Sequence, residues 1–323
     1  MVISRDFLNS LVKKKACVFG DNFFDFNCDS SSSNQEQTND VFSEKWSSFT
    51  LSENKEKAFE MQKSWYLSLY GFSSEASLAA FLQTKPVIYD AGCGLGYKAA
   101  WFAQLAPESI VIGMDYSDSA RIAASNYADI KNLYFFKGDI AHPFFEESSI
   151  DYTSCDQVIM HTNDPDATFT ELVRSLKPSG QFACYFYAKK ALPRELVDDY
   201  FRTQCSKMSS RELWEMSKQL TVLGKVLSDL NVSFNCPDVP ALGIKGGTYD
   251  IQRFLYWNFL KCYWNESLGV ETSDATNFDW YSPSNARRYS EEEVRDLVVG
   301  HALAIEYFHV EEACYSGRFV KNV

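Results

Sequence analysis

The sequence has no long apolar run, no leader-like start and no excess of basic residues. A helix that spans a bilayer needs about 20 consecutive apolar residues, and none of the chain forms such a run. The residues before and around Lys13–Lys15 lack the continuous apolar core of a signal peptide. The formal net charge of −12 disfavours binding to nucleic acid or anionic lipid, since both need a surface rich in Lys and Arg. We therefore expect a soluble cytoplasmic protein without nucleic-acid or membrane partners.

Closely paired cysteines are also lacking. The nine cysteines include no Cys-x-x-Cys pair, and an odd, scattered set is typical of reduced thiols in a cytoplasmic protein. Cys17 and Cys28 could form half of a metal ribbon, but no second pair follows them, and a structural zinc site needs a full set of four ligands. We therefore expect no bound metal.

Apolar and aromatic residues, in contrast, are abundant. Hydrophobic residues make up 46% of the chain and aromatic residues 15%, which is enough to bury a sizeable core. A length of 323 residues fits one large domain or two modest ones. Most of these rings are expected in the core, although some can line a pocket.

The most informative segment is Val87–Gly96, which reads Val-Ile-Tyr-Asp-Ala-Gly-Cys-Gly-Leu-Gly. Its apolar start predicts a buried strand that ends near Asp90. Three glycines then alternate with other residues before a helix-compatible segment, and glycine lets a ligand approach the backbone closely. The dinucleotide fingerprint, Gly-x-Gly-x-x-Gly, would require a glycine at position 97, but this chain has Tyr there. The pattern thus predicts a nucleotide-type site without the dinucleotide motif.

Strand and helix patterns alternate from residue 86 to residue 188, which predicts a parallel, doubly wound sheet. Three predicted strands each end on an acid, namely Asp90, Asp115 and Asp139. Because ligand sites of such sheets lie outside the carboxyl ends of the strands, we expect these acids at one functional edge.

The Asp-x-Gly-x-Gly-x-Gly pattern resembles the first motif of class I S-adenosylmethionine-dependent methyltransferases. Later segments resemble further motifs of that family in the same order: Val111–Asp115, Tyr134–Ile140, Ile150–Ser154, Gln157–Pro165 and Leu176–Tyr187. Ser179 stands where the family usually has Gly. The resemblance covers roughly residues 86–190 and 286–323. It implies an α/β fold with a seven-stranded, mostly parallel sheet that ends in antiparallel strands.

The resemblance also implies S-adenosylmethionine as the cofactor. In the family, the glycine turn faces the methionine moiety and ribose, and the residues at the positions of Asp115 and Asp139 hold the ribose diol and the adenine. The implied cofactor residues are Asp90, Gly92, Cys93, Gly94, Gly96, Asp115, Tyr116, Asp139, Ile140 and Gln157. Two have simpler alternatives, because Asp139 can cap a turn and Cys93 can be a small packing residue.

His161 is the candidate catalytic base. It follows the fourth predicted strand of the core at the functional edge, and imidazole titrates near neutral pH. The alternative is that His161 only orients the loop or the substrate. A metal site formed by His161, Asp164 and Asp166 is disfavoured, because short polar turns of this kind usually begin a helix.

Residues 1–85 precede the core and form a predicted N-terminal helical extension. Residues 29–40 are polar and of low complexity, which predicts a mobile loop. Trp46 is a candidate substrate-binding residue, since Trp-containing segments cover the cofactor cleft in some relatives. Packing of Trp46 on the sheet is the alternative.

Residues 86–189 form the predicted cofactor-binding core, residues 190–285 a helical, aromatic-rich substrate lid, and residues 286–323 the last helix and strands. The candidate substrate residues beyond Trp46 are Tyr256, Trp257, Trp280, Arg287 and Arg288. The rings can form an acceptor pocket or the core of the lid itself. The arginines can bind a substrate carboxylate or phosphate, or lie in solvent.

The sequence therefore predicts a methyltransferase that acts on an O, N or C nucleophile of a small or medium-sized metabolite, in natural-product biosynthesis or elsewhere, as a monomer or a homo-oligomer. Two alternatives stay open: a cofactor-binding pseudo-enzyme or interaction subunit, and a nucleotide-dependent oxidoreductase.

Overall fold

The computed structural model describes residues 8, 10–13, 17–19, 22–26, 32–50, 55–142 and 144–322. The chain forms two compact units. The sheet unit comprises Met1–Ser32, Ser43–Tyr187 and Arg287–Val323, and the helical unit comprises Ser33–Phe42 and Ala188–Ala286. No helix in the described ranges is long and apolar enough to cross a bilayer.

The strands and helices are numbered in chain order. The strands are β1 (Cys17–Phe19), β2 (Phe23–Asp25), β3 (Val87–Ala91), β4 (Ile110–Asp115), β5 (Leu133–Lys137), β6 (Ile150–Cys155), β7 (Leu176–Ala188), β8 (Ser233–Cys236), β9 (Gly247–Asp250), β10 (Arg288–Tyr289), β11 (Leu303–Val310) and β12 (Cys314–Lys321). The helices are α1 (Ser33–Thr50), α2 (Lys55–Leu69), α3 (Glu75–Leu82), α4 (Tyr97–Leu105), α5 (Ser119–Asn126), α6 (Pro165–Ser175), α7 (Leu192–Cys205), α8 (Ser210–Asp229), α9 (Ile251–Asn258), α10 (Gly269–Tyr281) and α11 (Glu291–Gly300).

The main sheet has the strand order β1-β2-β5-β4-β3-β6-β7-β12-β11, and β10 pairs with β7. The neighbours from β2 to β7 run parallel, whereas β12 is antiparallel to both β7 and β11. This confirms the predicted mostly parallel, doubly wound sheet. The described sheet exceeds the predicted seven strands, because the short strands β1, β2 and β10 extend it. Strand order reverses between β3 and β6, which is where such sheets bind ligands.

The central strands are apolar on both faces. In β3 every residue is buried, and successive residues contribute to opposite core clusters: Tyr89 to one and Ile88 to the other. Side chains alternate across a strand, so a strand covered on both faces carries apolar residues at nearly every position, and in β3 Asp90 is the exception. The continuous apolar run of β3 therefore fixes it at the centre of the sheet and brings the end of β3 to the functional edge.

The helical unit contains α7–α10 and the hairpin of β8 with β9. Helix α8 begins at a capping box in which Ser209 and Glu212 satisfy each other's backbone N–H groups. The rings of Trp214 and Phe278 stack with centroids 4.1 Å apart, which joins α8 to α10. The unit thus has an aromatic interior of its own.

The loop prediction for residues 29–40 is wrong for residues 33–40, which lie in α1. Their polar side chains make specific hydrogen bonds within the helical unit. The Gln37 Nε2 donates to the carbonyl of Ser282 over 2.8 Å, and Asn285 N donates to the Thr38 hydroxyl over 3.1 Å. These partners are about 250 residues away along the chain, so local polarity could not reveal them. Residues 29–31 and the side chain of Trp46 lie outside the described part of the structure.

Candidate cofactor site

The turn after β3 is tightly packed. Gly92, Gly94 and Gly96 all have positive φ angles, of 78°, 51° and 77°. A Cβ added to Gly92 would lie 2.4 Å from the methyl groups of Val158, and one added to Gly96 would lie 2.6 Å from the ring of Phe135. Side chains are therefore excluded at both positions by conformation and by space, which leaves a backbone cradle before α4.

Asp115 ties this turn to the end of β4. Its Oδ2 accepts a hydrogen bond from Gly94 N over 2.8 Å, and its Oδ1 accepts from Ser117 N over 3.0 Å and from the Ser117 hydroxyl over 2.6 Å. Gly92 N also donates to the Met114 carbonyl over 2.8 Å. The Ser119 hydroxyl also donates to Asp115 Oδ1, over 3.3 Å. A carboxylate has about four acceptor positions, so a ligand diol at Asp115 would take the place of the serine hydroxyls. The predicted ribose acceptor and glycine turn therefore form one hydrogen-bonded unit.

A buried charge cluster lies beside the turn. The Lys98 Nζ is 3.2 Å from Asp90 Oδ1 and 3.4 Å from Asp156 Oδ2, and the Tyr70 hydroxyl donates to Asp156 Oδ1 over 2.8 Å. Apart from the ion pair with Lys98, neither Asp90 oxygen accepts a hydrogen bond from the part of the chain that the structure describes. A fully buried carboxylate without donors is costly, which marks it as an acceptor for a ligand group.

Burial and mutual attraction together shift the pKa values of Asp90 and Lys98. Desolvation raises the pKa of Asp90 to about 6, although the ammonium of Lys98 opposes the shift. Desolvation also acts on Lys98, but the nearby carboxylates of Asp90 and Asp156 outweigh it and raise the pKa of Lys98. The cluster thus places one ammonium between two carboxyl groups, an excess of acidic groups that favours a cationic ligand group.

Lys98, Asp156 and Tyr70 were not among the predicted site residues. Asp156 directly follows β6, so the rule that singled out the other strand-ending acids also applies to it. Lys98 gave no such signal, because a lysine in the first turn of a helix is ordinarily in solvent, whereas here it is 6% exposed. Only the packing of the folded chain reveals its role.

Asp139 lies directly after β5 in a closed turn. Its Oδ1 accepts from Ala141 N over 3.0 Å, and its Oδ2 is 3.5 Å from His142 Nδ1. The neighbouring Ile140 is buried. The turn-capping role that we considered for Asp139 is therefore present, and contact of these residues with adenine stays a prediction.

His161 lies at the end of a short 3-10 helix, Ile159–His161, in the segment after β6. It is buried, and its Nε2 is 3.3 Å from the Tyr187 hydroxyl at the end of β7. Gln157, at the start of this segment, has a φ of 63°, which is uncommon for a residue with a side chain. The segment contacts the glycine turn through Val158, so the site residues around His161 and Gly92 share one edge.

The structure also describes the surroundings of two further candidates, Asp164 and Cys93. Asp164 accepts a hydrogen bond from Ala167 N over 3.0 Å and caps α6, as expected for a helix entry. Cys93 is buried, and desolvation raises the pKa of its thiol well above the ordinary value. The burial of Cys93 agrees with the packing alternative, and contact of Cys93 with the cofactor stays a prediction. Tyr116 is half-buried next to Asp115.

The structure divides the substrate candidates between the two units. Tyr256, Trp257 and Trp280 belong to the helical unit. Trp280 Nε1 donates to Asp198 Oδ2 over 2.8 Å, and Arg194 donates to the carbonyl of Tyr256. The buried rings of Tyr256 and Trp280 therefore contribute to the interior of the helical unit itself, whereas Trp257 is half-buried.

The two arginine candidates belong to the sheet unit. Arg287 is exposed, and its Nη1 is 2.6 Å from Asp166 Oδ2. Arg288 begins β10 and is half-buried. The charge of Arg287 is already compensated by Asp166, which weakens its candidacy as a substrate ligand.

A doubly wound sheet with a glycine cradle, strand-ending carboxylates and a reversal of strand order at the same edge defines the Rossmann-like class of nucleotide-cofactor proteins. Residues 89–184 match a family model described as a methyltransferase domain. The segment that holds the glycine turn and Asp115 is therefore similar to a methyltransferase domain, in agreement with the resemblance of its motifs to the class I S-adenosylmethionine-dependent methyltransferases.

Curated relatives match over the same core. The chain is 31% identical over 117 residues to sterol 24-C-methyltransferase erg6 of Schizosaccharomyces pombe, which covers 35% of this chain and 29% of the relative. It is 26% identical over 121 residues to a demethylmenaquinone methyltransferase of Listeria welshimeri, which covers 36% of this chain and 51% of the relative. The chain thus spans only about a third to a half of the relatives that it matches.

Among solved structures, magnesium protoporphyrin IX methyltransferase from Synechocystis PCC 6803, with bound S-adenosylhomocysteine, aligns with a TM-score of 0.46. The sequence identity is 14%, and the alignment covers 89% of this chain and 98% of that chain.

Proposed function

We propose that this protein transfers the methyl group of S-adenosylmethionine to an O, N or C nucleophile of a small or medium-sized metabolite. The observation that carries the proposal is the joint geometry of the glycine turn, Asp115 and Asp90. The turn carries no side chains at Gly92 and Gly96, Asp115 is hydrogen-bonded to it, and buried Asp90 is paired with the Lys98 ammonium. This donor and acceptor set fits a cofactor with a diol and a cationic amino acid moiety.

The residues present would hold the cofactor along the edge formed by β3, β4 and β5. Asp115 accepts the ribose hydroxyls, the turn from Gly92 to Gly96 lies against the methionine moiety, and Asp139 with Ile140 contacts the adenine. The chemistry that the bound cofactor supplies is a methyl group on a good leaving group. The protein itself must align the acceptor atom with that methyl group and exclude water.

His161 removes the acceptor proton in this proposal. Its burial and its position on the same edge as the glycine turn support this role. A His161 that only orients the acceptor is the alternative, and the two roles differ in how the rate depends on pH.

We also propose that the helical unit supplies acceptor-binding residues. Two features of the helical unit support this proposal: most of it follows directly after β7 in the sequence, and it is rich in aromatic residues. Half-buried Trp257 is the ring to test, because Trp280 is hydrogen-bonded to buried Asp198 and its removal would disturb the unit. Replacement Trp257→Ala should change acceptor use more than cofactor affinity.

The test is turnover with a metabolite extract. The protein is incubated with S-adenosylmethionine and extract fractions, and mass spectrometry follows S-adenosylhomocysteine and any product that is one methyl group heavier. The Asp115→Ala variant is the control. Formation of both products by the unaltered protein alone is expected. Tight cofactor binding without turnover in any fraction would favour a pseudo-enzyme, and a preference for a nicotinamide dinucleotide would favour an oxidoreductase.

A further inference from the structure

Lys261, in the helical unit, is a buried amine without a counter-ion. It is 7% exposed, and its Nζ lies 4.4 Å from the centroid of the Trp280 ring. Within the described ranges, no carboxylate forms an ion pair or hydrogen bond with this Nζ. Burial of an unpaired ammonium is costly, and a cation–π contact offsets only part of the cost.

A second lysine of the same unit, Lys225, also contacts a Trp ring and serves for comparison. Lys225 Nζ lies 5.6 Å from the centroid of the Trp264 ring, but it also pairs with Asp229 over 2.6 Å and is exposed. Lys225 therefore keeps both solvent and a counter-ion. Lys261 has neither, so stacking on a Trp ring does not account for its position.

The acid beside Lys261 is already committed to other donors. Asp198 accepts from Arg194 Nε over 2.8 Å and 2.9 Å, from Trp280 Nε1 over 2.8 Å and from the Tyr281 hydroxyl over 2.9 Å. Asp198 and Arg194 thus neutralise each other. Asp198 therefore has its counter-charge in Arg194 and is not the counter-ion of Lys261.

The titration of Lys261 agrees with this geometry. Desolvation, followed by repulsion from Arg194, lowers the pKa of Lys261 to about 7. Lys190 adds to the repulsion, whereas Asp279 and Asp198 act in the opposite direction. An anion bound at Nζ would raise the pKa of Lys261 again. Binding of the anion near neutral pH would therefore be accompanied by uptake of a proton by Lys261.

We propose that Lys261 binds a carboxylate group of the methyl acceptor, with the ring of Trp280 beside its Nζ. The inference rests on the proposed function and adds the substrate class, an organic acid. A single ammonium supplies a point charge that matches one carboxylate. A phosphate dianion would gain from a second free cation, and the guanidinium of Arg194 is already bound to Asp198 and to the Tyr256 carbonyl.

The test uses benzoate as the carboxylate probe, with benzamide as its neutral counterpart and inorganic phosphate as the competing anion. Calorimetric titrations of the full-length protein at pH 7.5 are run in two buffers of different ionisation enthalpy, which reports proton uptake. We expect benzoate to bind with proton uptake and to be preferred over both other probes. In Lys261→Met the benzoate affinity should fall about tenfold or more, as expected for loss of one charge-assisted hydrogen bond.

The matched control is Lys225→Met, which should leave benzoate affinity unchanged. Lys261→Arg keeps the charge and should keep the preference for benzoate over benzamide. Equal binding of benzoate and benzamide, preference for phosphate, absence of proton uptake, or unchanged affinity in Lys261→Met would each overturn the proposal. S-adenosylhomocysteine is titrated into the same preparations. Failure of that titration contradicts the proposed function, whereas cofactor binding without benzoate selectivity contradicts the Lys261 site alone.

Discussion

The ammonium of Lys98, in the first turn of α4, lies 3.2 Å from the fully buried carboxylate of Asp90 at the end of β3. The same ammonium is 3.4 Å from Asp156, at the end of the neighbouring strand β6. Lys98 therefore links the two strands between which the strand order reverses. It also keeps a buried acid ionised at the edge where a cofactor would bind.

Replacement of Lys98 by Met should destabilise the protein. The change leaves Asp90 and Asp156 without their shared cation, and breaking a buried ion pair from one side costs about 3 kcal/mol or more. The free energy of unfolding is measured with urea at pH 7. As a control, Lys218→Met removes an exposed ion pair with Glu215 and should have little effect. Equal effects of the two replacements would show that the Lys98 cluster is not a buried charge network.

The stability of the protein should depend on the ionisation of Asp90. Its pKa is about 6 in the folded chain, above its ordinary value of 3.8. The folded state therefore holds this proton more tightly, and the contribution of Asp90 to stability falls as pH rises from about 4 to 6. Relative to the unaltered protein, Asp90→Asn should gain stability over this interval. Urea unfolding of both proteins at several pH values measures the difference, and a difference that is constant with pH would contradict it.

Gly96→Ala should destabilise the turn. A Cβ at this position meets the Phe135 ring at 2.6 Å and the backbone has a φ of 77°, so we expect a loss of about 2 kcal/mol or more. Gly300→Ala provides the control, because a Cβ there has nothing within 4 Å. Urea unfolding of the two variants should separate them clearly. A Gly96→Ala protein as stable as the control would mean that the turn is looser than described.

His161→Ala should lower turnover and leave the affinity for S-adenosylhomocysteine nearly unchanged. If His161 is the base, its protonation makes kcat/KM of the unaltered protein fall towards acid pH. This fall should disappear in the variant. The measurement is the pH profile of kcat/KM once an acceptor is known, with cofactor affinity from calorimetry. A variant that is slower by the same factor at every pH would assign His161 to orientation instead.

Sequence patterns could predict those parts of the site that are local. The strand β3, the glycine turn and Asp115 all follow from spacing and from the ends of apolar runs. Lys98 could not be predicted, since its burial results from packing of α4 against the sheet, where its partners Asp90 and Asp156 come from two different strands. The helix over residues 33–40 was missed for a similar reason, because Gln37 and Thr38 find their partners in a distant segment. The three-residue strands β1 and β2 are too short to show a periodicity.

The most direct test of the central claim is the calorimetric affinity of the protein for S-adenosylhomocysteine, compared with that for NAD. We predict clear binding of S-adenosylhomocysteine and weaker or no binding of NAD. Asp115→Ala should lose about 1–3 kcal/mol of the binding free energy, because the ligand hydroxyls lose their acceptor. Asp118→Ala, which removes an exposed carboxylate three residues further on, should bind normally. Tighter binding of NAD, or an unchanged affinity in Asp115→Ala, would contradict the account.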